Sequence, residues 1–383
     1  MKYYTWILRT LSPVHIGCGH TLTKLDYAYS ASSRRIYVMQ PQLLFQALLK
    51  RNLLEDFEKC IRSGDQQFSL TNFFRKANIL EEEYADWAQY NYPVQNVSIG
   101  AGQSGIHAFV KDPYGCPYIP GSGIKGALRT AIAYAEIYNH QESFRDIADH
   151  VESELKFKNP KGKKLLSAKA EQRIFHTLKR KENNRAKNEH DRWKDIVNDY
   201  MAGLRISDST PLMPDTLVLC EKNDLDIDGE DHSINLLREC LKPGTELQFD
   251  VTVDEKLFPW DMDAVMAHLK LAFDDYDYLF RSVFINNAKD TFHLPEESDK
   301  GEYLYLGGGT GYLNKTFLYA LYEDEKEAAE LVSLLLDKSF PEHRHRSFTV
   351  QEGLSPRMFK CTRYNEQLYE MGLCQLEIKE KKL

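Results

Sequence analysis

Along the chain the spacing of hydrophobic positions switches between two and three-to-four, and each switch predicts an element. Residues 3–16, rich in aromatic and β-branched side chains, predict a long first strand in which Pro13 marks a bend or an edge. Gly17-Cys-Gly-His20 predicts a turn, and Arg35-Ile-Tyr-Val-Met39 a second extended piece. From Pro41 to about Trp87 the period is helical, with Leu43, Leu44, Ala47 and Leu48 on the first apolar face. Residues 92–105 predict a loop, and Asp112-Pro-Tyr-Gly115 a hairpin turn. Ile124, Ala127, Leu128, Ala131, Ile132 and Ala135 then recur as the stripe of a helix packed on a core.

Beyond about Asn139 the pattern is highly charged and helical until Trp193. Leu204–Asp208 and Thr216–Cys220 predict short strands, and the acidic, Asp/Gly-rich residues 221–232 a surface loop. From Thr245 to Val253, Leu247, Phe249, Val251 and Val253 alternate strictly with polar residues, the clearest strand in the chain. An amphipathic helix follows over 261–281, then an extended segment at Leu304, a helix over 325–338 and a half-buried strand over 373–378. Strands and helices alternate without the regular spacing of a parallel sheet, and no repeat of 20–50 residues appears. This predicts an α+β protein with a mainly antiparallel sheet, helices on one face, and helical insertions. The expected division is a first lobe over 1–203, with insertions at about 41–90 and 140–194, and a second over 204–383.

Composition narrows the class. A chain of 383 residues with 42% hydrophobic and 28% charged residues can bury a core and is not disordered. No apolar run approaches about 18 residues, which argues against a membrane span, and the start lacks the features of a signal peptide. Seven cysteines without a C-x-x-C pair read as free thiols of a cytoplasmic protein. The net charge of −8 hides an asymmetry: residues 156–194 hold 14 Lys and Arg against 4 Asp and Glu. A basic block on an acidic body suggests a local polyanion contact, and a solvated insertion without a partner is the plain alternative.

Two glycine-rich stretches carry the candidate chemistry. The helix after residue 120 starts with Gly121-Ser-Gly123, and Lys125 and Arg129 lie one turn apart in its first two turns. Cations there oppose the positive end of the helix dipole, by about 0.3–1 kcal/mol each, and the first N–H groups need acceptors. A phosphate at the loop would answer both needs, whereas Ser122 capping an ordinary helix with solvated cations would need no ligand. Gly121-x-Gly123-x-x-Gly126 also matches a dinucleotide fingerprint. Pro120, Lys125 and the basic insertion where a second parallel strand should stand count against that reading. The second stretch, Gly307-Gly308-Gly309-Thr310-Gly311, follows an extended segment, with Tyr312 and Lys315 beyond it. Such a run costs backbone entropy and serves close approach or positive φ; a ring and a charge beside it suit a nucleic-acid strand. A tight turn is the simpler explanation.

These stretches carry a resemblance. Leu11-Ser-Pro-Val-His-Ile-Gly17, Ile119-Pro-Gly-Ser-Gly-Ile-Lys-Gly-Ala-Leu-Arg129 and Gly307–Gly311, in that order, resemble the RAMP superfamily of CRISPR-associated proteins. Order, length and inserts are most similar to the fifth Csm subunit of type III-A effector complexes. The resemblance implies a ferredoxin-like, RRM-type core and a subunit that binds the 3′ part of the CRISPR RNA (crRNA) beside the repeated backbone subunit, assisting its maturation. By motif match it implies RNA contacts at His15 and Gly17, at Gly121, Ser122, Gly123, Lys125 and Arg129, and at Gly307–Gly311 with Tyr312 and Lys315. Its partners would be crRNA, other Csm subunits and recruited host ribonucleases, with no cofactor.

Histidine is the usual acid–base group for metal-independent RNA cleavage. His15, His20 and His107 are available but show no spacing that forces a pair together, and Asp26 sits too late to be equated with the aspartate that cuts target RNA in related backbone subunits. His343-Arg-His-Arg346 reads as a basic patch rather than a metal site. The expectation is a non-catalytic RNA-binding subunit; the alternative is a RAMP-type crRNA-processing endoribonuclease using His15 or His20.

Overall fold

The structure is a computed structural model that describes every residue except 66–67, 96, 98, 100–104, 157–164, 187–191, 296–300 and 382–383. Parts of the 92–105 loop and of the basic insertion thus lie outside the described residues. The chain opens with β1 (Lys2–Thr10), β2 (Gly17–Leu22), β3 (Tyr27–Ser30) and β4 (Arg35–Met39). Four short helices follow: α1 (Pro41–Lys50), α2 (Leu54–Arg62), α3 (Leu70–Lys76) and α4 (Glu81–Ala85). They close a satellite core around Leu48, Phe57, Phe74 and Tyr84 over the small β3-β4-β5 sheet, with β5 at Ala88–Pro93 and β6 at Ile106–Phe109. Next come α5 (Gly121–Asn139), α6 (Arg145–Lys156) and α7 (Leu165–Phe175). Then follow β7 (Leu204–Ile206), β8 (Leu217–Leu225), β9 (Asp231–Leu241), β10 (Glu246–Val253) and α8 (Met262–Tyr276). The last part holds α9 (Ser282–Asn287), β11 (Glu302–Tyr305), α10 (Glu325–Ser339), α11 (His345–Glu352), β12 (Phe359–Tyr364), β13 (Gln367–Glu370) and β14 (Leu373–Glu380).

The central sheet runs β11-β14-β1-β10-β7, every neighbouring pair antiparallel. β1 and β7 therefore point the same way with β10 between them, and α5 lies on the path from one to the other. α8 in turn lies between β10 and β14. This is the split β-α-β of a ferredoxin-like core, with β11 added at one edge. Period-two burial drives it: Tyr4, Trp6 and Leu8 of β1 face the helices, as do Leu247, Phe249, Val251 and Val253 of β10. Each such side chain contributes about 1.5–3 kcal/mol on leaving water. α5 and α8 pack side by side, and the Tyr134 hydroxyl donates to Asp275 across their contact.

A second sheet, β13-β12-β8-β9-β6-β2, is antiparallel except where β6 meets β9. The observed strands correct three expectations. The predicted turn at 17–20 is the start of β2, which pairs with β6 through an irregular register that Gly19, at φ +82°, permits. The predicted loop over 92–105 begins inside β5. The acidic loop over 221–232 shrinks to a turn at 226–230, because β8 runs to Leu225 and β9 begins at Asp231. Strands from both sides of residue 203 share both large sheets.

Candidate nucleic-acid interface

β1 ends where Pro13 turns the chain, and the bridge between Val14 and Leu241 holds the next residues against β9. His15 is thereby buried, and its carbonyl oxygen accepts the N–H of Gly308 at 2.8 Å. The glycine loop thus rests on the turn after β1, so two of the predicted segments meet. Here glycine is required: Gly307 has φ +79°, and a Cβ on it would stand 2.0 Å from the His15 oxygen. Gly309 and Gly311 are also left-handed, at φ +89° and +97°. Buried Thr310 donates to Asn314 Oδ1, and Lys315 folds back so that Nζ donates to the Gly307 carbonyl at 2.6 Å.

Under this loop lies a face of the second sheet that pattern reading missed. Cys220 of β8 pairs with Arg238 of β9, and Asp224 of β8 with Lys360 of β12, which sets Lys222, Asp224, Arg238 and Lys360 in one neighbourhood. A Cβ on Gly309 would stand 3.0 Å from Arg238 Nη1, and one on Gly311 would stand 3.7 Å from Lys360 Cγ. Asp224 accepts from Lys222 at 3.3 Å and from Lys360 at 2.9 Å. The Arg238 guanidinium, in contrast, has no hydrogen bond or ion pair among the described residues. Burial lowers its pKa, and burial with the charge of Arg238 does the same to Lys315. Burial, then Lys360 nearby, lowers that of Lys222. Lys222 and Lys360 thus share Asp224, with Arg238 and Lys315 beside them, an arrangement that favours an incoming polyanion. The missed signal was a broken one: β9 and β12 carry charges among their apolar positions, so no period of two stands out.

The start of α5 is different. The Gly121 N–H donates to Asp208 Oδ1 at 3.0 Å, and a Cβ on Gly121 would stand 2.3 Å from the Ser207 oxygen, so this glycine serves contact with the end of β7. Lys125 Nζ donates to the Leu204 carbonyl at 2.7 Å. Arg129 pairs with Asp199 at 2.6 Å and Glu171 at 3.3 Å, with its guanidinium 3.8 Å from the centre of the Phe175 ring. The acceptors that a phosphate was expected to provide come from the chain itself. Ser122 is exposed without capping the helix, and Cβ atoms on Gly123 or Gly126 would meet nothing within 4 Å. Arg129, Tyr312 and Lys315 nevertheless border one groove of about 380 Å³, floored by Leu336 and Phe340.

The catalytic candidates stay apart in role. His20 and His107 are exposed, and His107 Nδ1 lies 3.4 Å from Thr21 Oγ1. Asp26 accepts from the Thr23 N–H and hydroxyl, which ties it to its own turn. Asp226, Glu230 and His232 cluster in the turn between β8 and β9, where Asp226 already takes two backbone N–H groups and the His232 ring.

A ferredoxin-like core whose glycine-rich loop overlies a cationic sheet face belongs to a known class. The RAMP superfamily model matches residues 7–337, and the chain is a member of that superfamily. Within it, the chain is 25% identical to the CRISPR system Cms protein Csm5 of Mycobacterium tuberculosis (strain CDC 1551 / Oshkosh), over 99% of this chain and 98% of that one. It is 24% identical to the Csm5 of Enterococcus italicus, over 98% and 97%. Two solved structures share the fold. One is a chain of a Csm-crRNA-target RNA ternary complex of a type III-A CRISPR-Cas system, with TM-score 0.63, 20% identity, and coverage of 98% of this chain and all of that one. The other is T. onnurineus Csm5, with TM-score 0.60, 19% identity and coverage of 96% and 99%.

Proposed function

We propose that this chain is the fifth Csm subunit of a type III-A CRISPR effector complex, where it holds the 3′ part of the crRNA and assists its maturation without cutting it. The observation that carries the RNA contact is the Arg238 guanidinium beneath Gly309, unpaired among the described residues, with Lys222, Lys360 and Lys315 around it and Asp224 pairing the first two of these lysines. Phosphates supply the missing anions, and the left-handed glycines let a strand approach the backbone. Gly17, Ser122, Gly123 and Tyr312 are further contacts in this reading, with Lys125 and Arg129 positioning the helix that presents Ser122 and Gly123. Other Csm subunits, above all the repeated backbone subunit, are the protein partners, and trimming is left to recruited ribonucleases in the cytoplasm. No helix among the described residues is long and apolar enough to cross a membrane.

The acid–base inventory supports the reading that this chain does not cut. Cleavage needs a paired acid and base within hydrogen-bond reach of one phosphate; His15 Nδ1 is tied to the Glu239 carbonyl, with no hydrogen bond from the ring to a second acid–base side chain among the described residues, and Asp26 is held by Thr23. The test is binding of crRNA-derived single-stranded RNA to the full chain at several salt concentrations. Arg238→Ala with Lys222→Ala should weaken binding and flatten the dependence of log affinity on log salt by about one unit per lost contact. The RNA should remain intact with or without magnesium. Unchanged affinity and slope would overturn the assignment, as would shortening abolished by His15→Ala, His20→Ala or Asp26→Ala.

A further inference from the structure

His15 is 5% exposed, and its two ring nitrogens face different surroundings. Nδ1 lies 2.7 Å from the carbonyl oxygen of Glu239. A carbonyl only accepts, so the proton sits on Nδ1 and Nε2 is left as an acceptor. Burial pushes the ring pKa down to about 4, and Arg238, His107 and Lys111 nearby act against a second proton. Nε2 has no hydrogen-bond partner among the described residues. Two glycines keep the approach to that edge clear: a Cβ on Gly17 would stand 3.1 Å from Nε2, and one on Gly308 would stand 3.3 Å from Cδ2. Any side chain at position 17 would crowd the acceptor.

A group that satisfies Nε2 must donate a hydrogen bond, be small enough to pass between Gly17 and Gly308, and belong to a molecule drawn by the neighbouring cations. A ribose 2′-hydroxyl meets all three conditions, and a deoxyribose lacks the donor. We infer that His15 accepts a hydrogen bond from one ribose 2′-hydroxyl and so makes this face selective for RNA over DNA. The inference rests on the RNA-binding reading above and adds the sugar to the phosphates. It gives a reason for a buried, neutral histidine beside a glycine loop that the phosphate contacts alone do not need.

The experiment compares the full chain with His15→Phe, which fills a similar space, on one single-stranded RNA, the same sequence as DNA, and a series of RNAs with single 2′-deoxy positions. The unaltered chain should prefer RNA to DNA, and one deoxy position should cost about 3- to 10-fold, the size of one neutral hydrogen bond. His15→Phe should bind the RNA as weakly as the unaltered chain binds that deoxy RNA, and should be indifferent to that position. An unchanged pattern of deoxy sensitivity in His15→Phe overturns the inference. Should His15→Phe fail to fold, the series on the unaltered chain still decides, since no position costing more than twofold overturns it too. Arg238→Ala should weaken RNA and DNA alike; if it weakens neither, the RNA-binding reading itself fails.

Discussion

Lys125 and Arg129 on α5 and Arg238 on β9 all stand beside glycines, yet among the described residues the first two alone find side-chain or carbonyl acceptors. Arg129 has two carboxylates and a ring, and Lys125 has a backbone carbonyl. Arg238 has the open loop of Gly309 above it and no ion pair among the described residues. The comparison teaches that a cation next to a glycine-rich loop does not by itself mark a ligand site. Pairing separates them: the α5 cations hold elements of this chain together, while Arg238 has no ion pair among the described residues.

The largest effect that would sharpen this contrast is at the glycines. Gly307→Val drives a side chain into the His15 carbonyl at a left-handed position and should cost upwards of about 3 kcal/mol, read as a fall in the denaturation midpoint. Gly126→Ala meets open space and should stabilise the isolated chain by up to about 1 kcal/mol. Equal losses at both positions would break the contrast.

The second effect is acid sensitivity at the interface. The folded-state pKa of His15, about 4, lies below the ordinary value of 6.5, so the unfolded chain binds the proton more readily. This group's contribution to stability is full above pH 6.5 and is lost as pH falls toward 4, by on the order of 3 kcal/mol. Denaturation midpoints at pH 7 and 4.5 should show the fall, and His15→Phe should remove that part of it. An identical pH dependence in both chains would refute the assignment.

A smaller effect separates the cations themselves. Arg129→Ala leaves Asp199 without its cation and should cost about 2 kcal/mol of stability while leaving RNA affinity nearly unchanged. Arg238→Ala should do the reverse, weakening RNA binding several-fold with little change in unfolding. The opposite pattern would transfer the site to α5.

How much of this could be read before folding depended on how clean each strand's alternation was. β10 alternates strictly and matched to within a residue, and α5 showed its stripe from Ile124 to Ala135, about three turns. β9 and β12 were not anticipated, because Arg238 and Lys360 interrupt their apolar positions and the partners that align them lie far away in sequence. The residues that give this face its charge are the same ones that hide its strands from periodicity. For Lys125 and Arg129 the spacing on the helix was legible, but their partners were not, because Asp199 and Glu171 are brought to Arg129 by tertiary packing.

β1 is held between β10 and β14, with Trp6 opposite Phe249 on one side and Ile378 on the other. In a growing polypeptide the first strand therefore waits for more than 200 residues before its first partner exists, and longer for its second. At ribosomal speeds of about 5–20 residues per second, the interval before β14 emerges is roughly 20–70 s. Through that interval Tyr4, Trp6 and Leu8 belong to an unfinished edge that can pair wrongly with another nascent chain. Production of the protein should therefore be sensitive to truncation within β14 and to growth temperature.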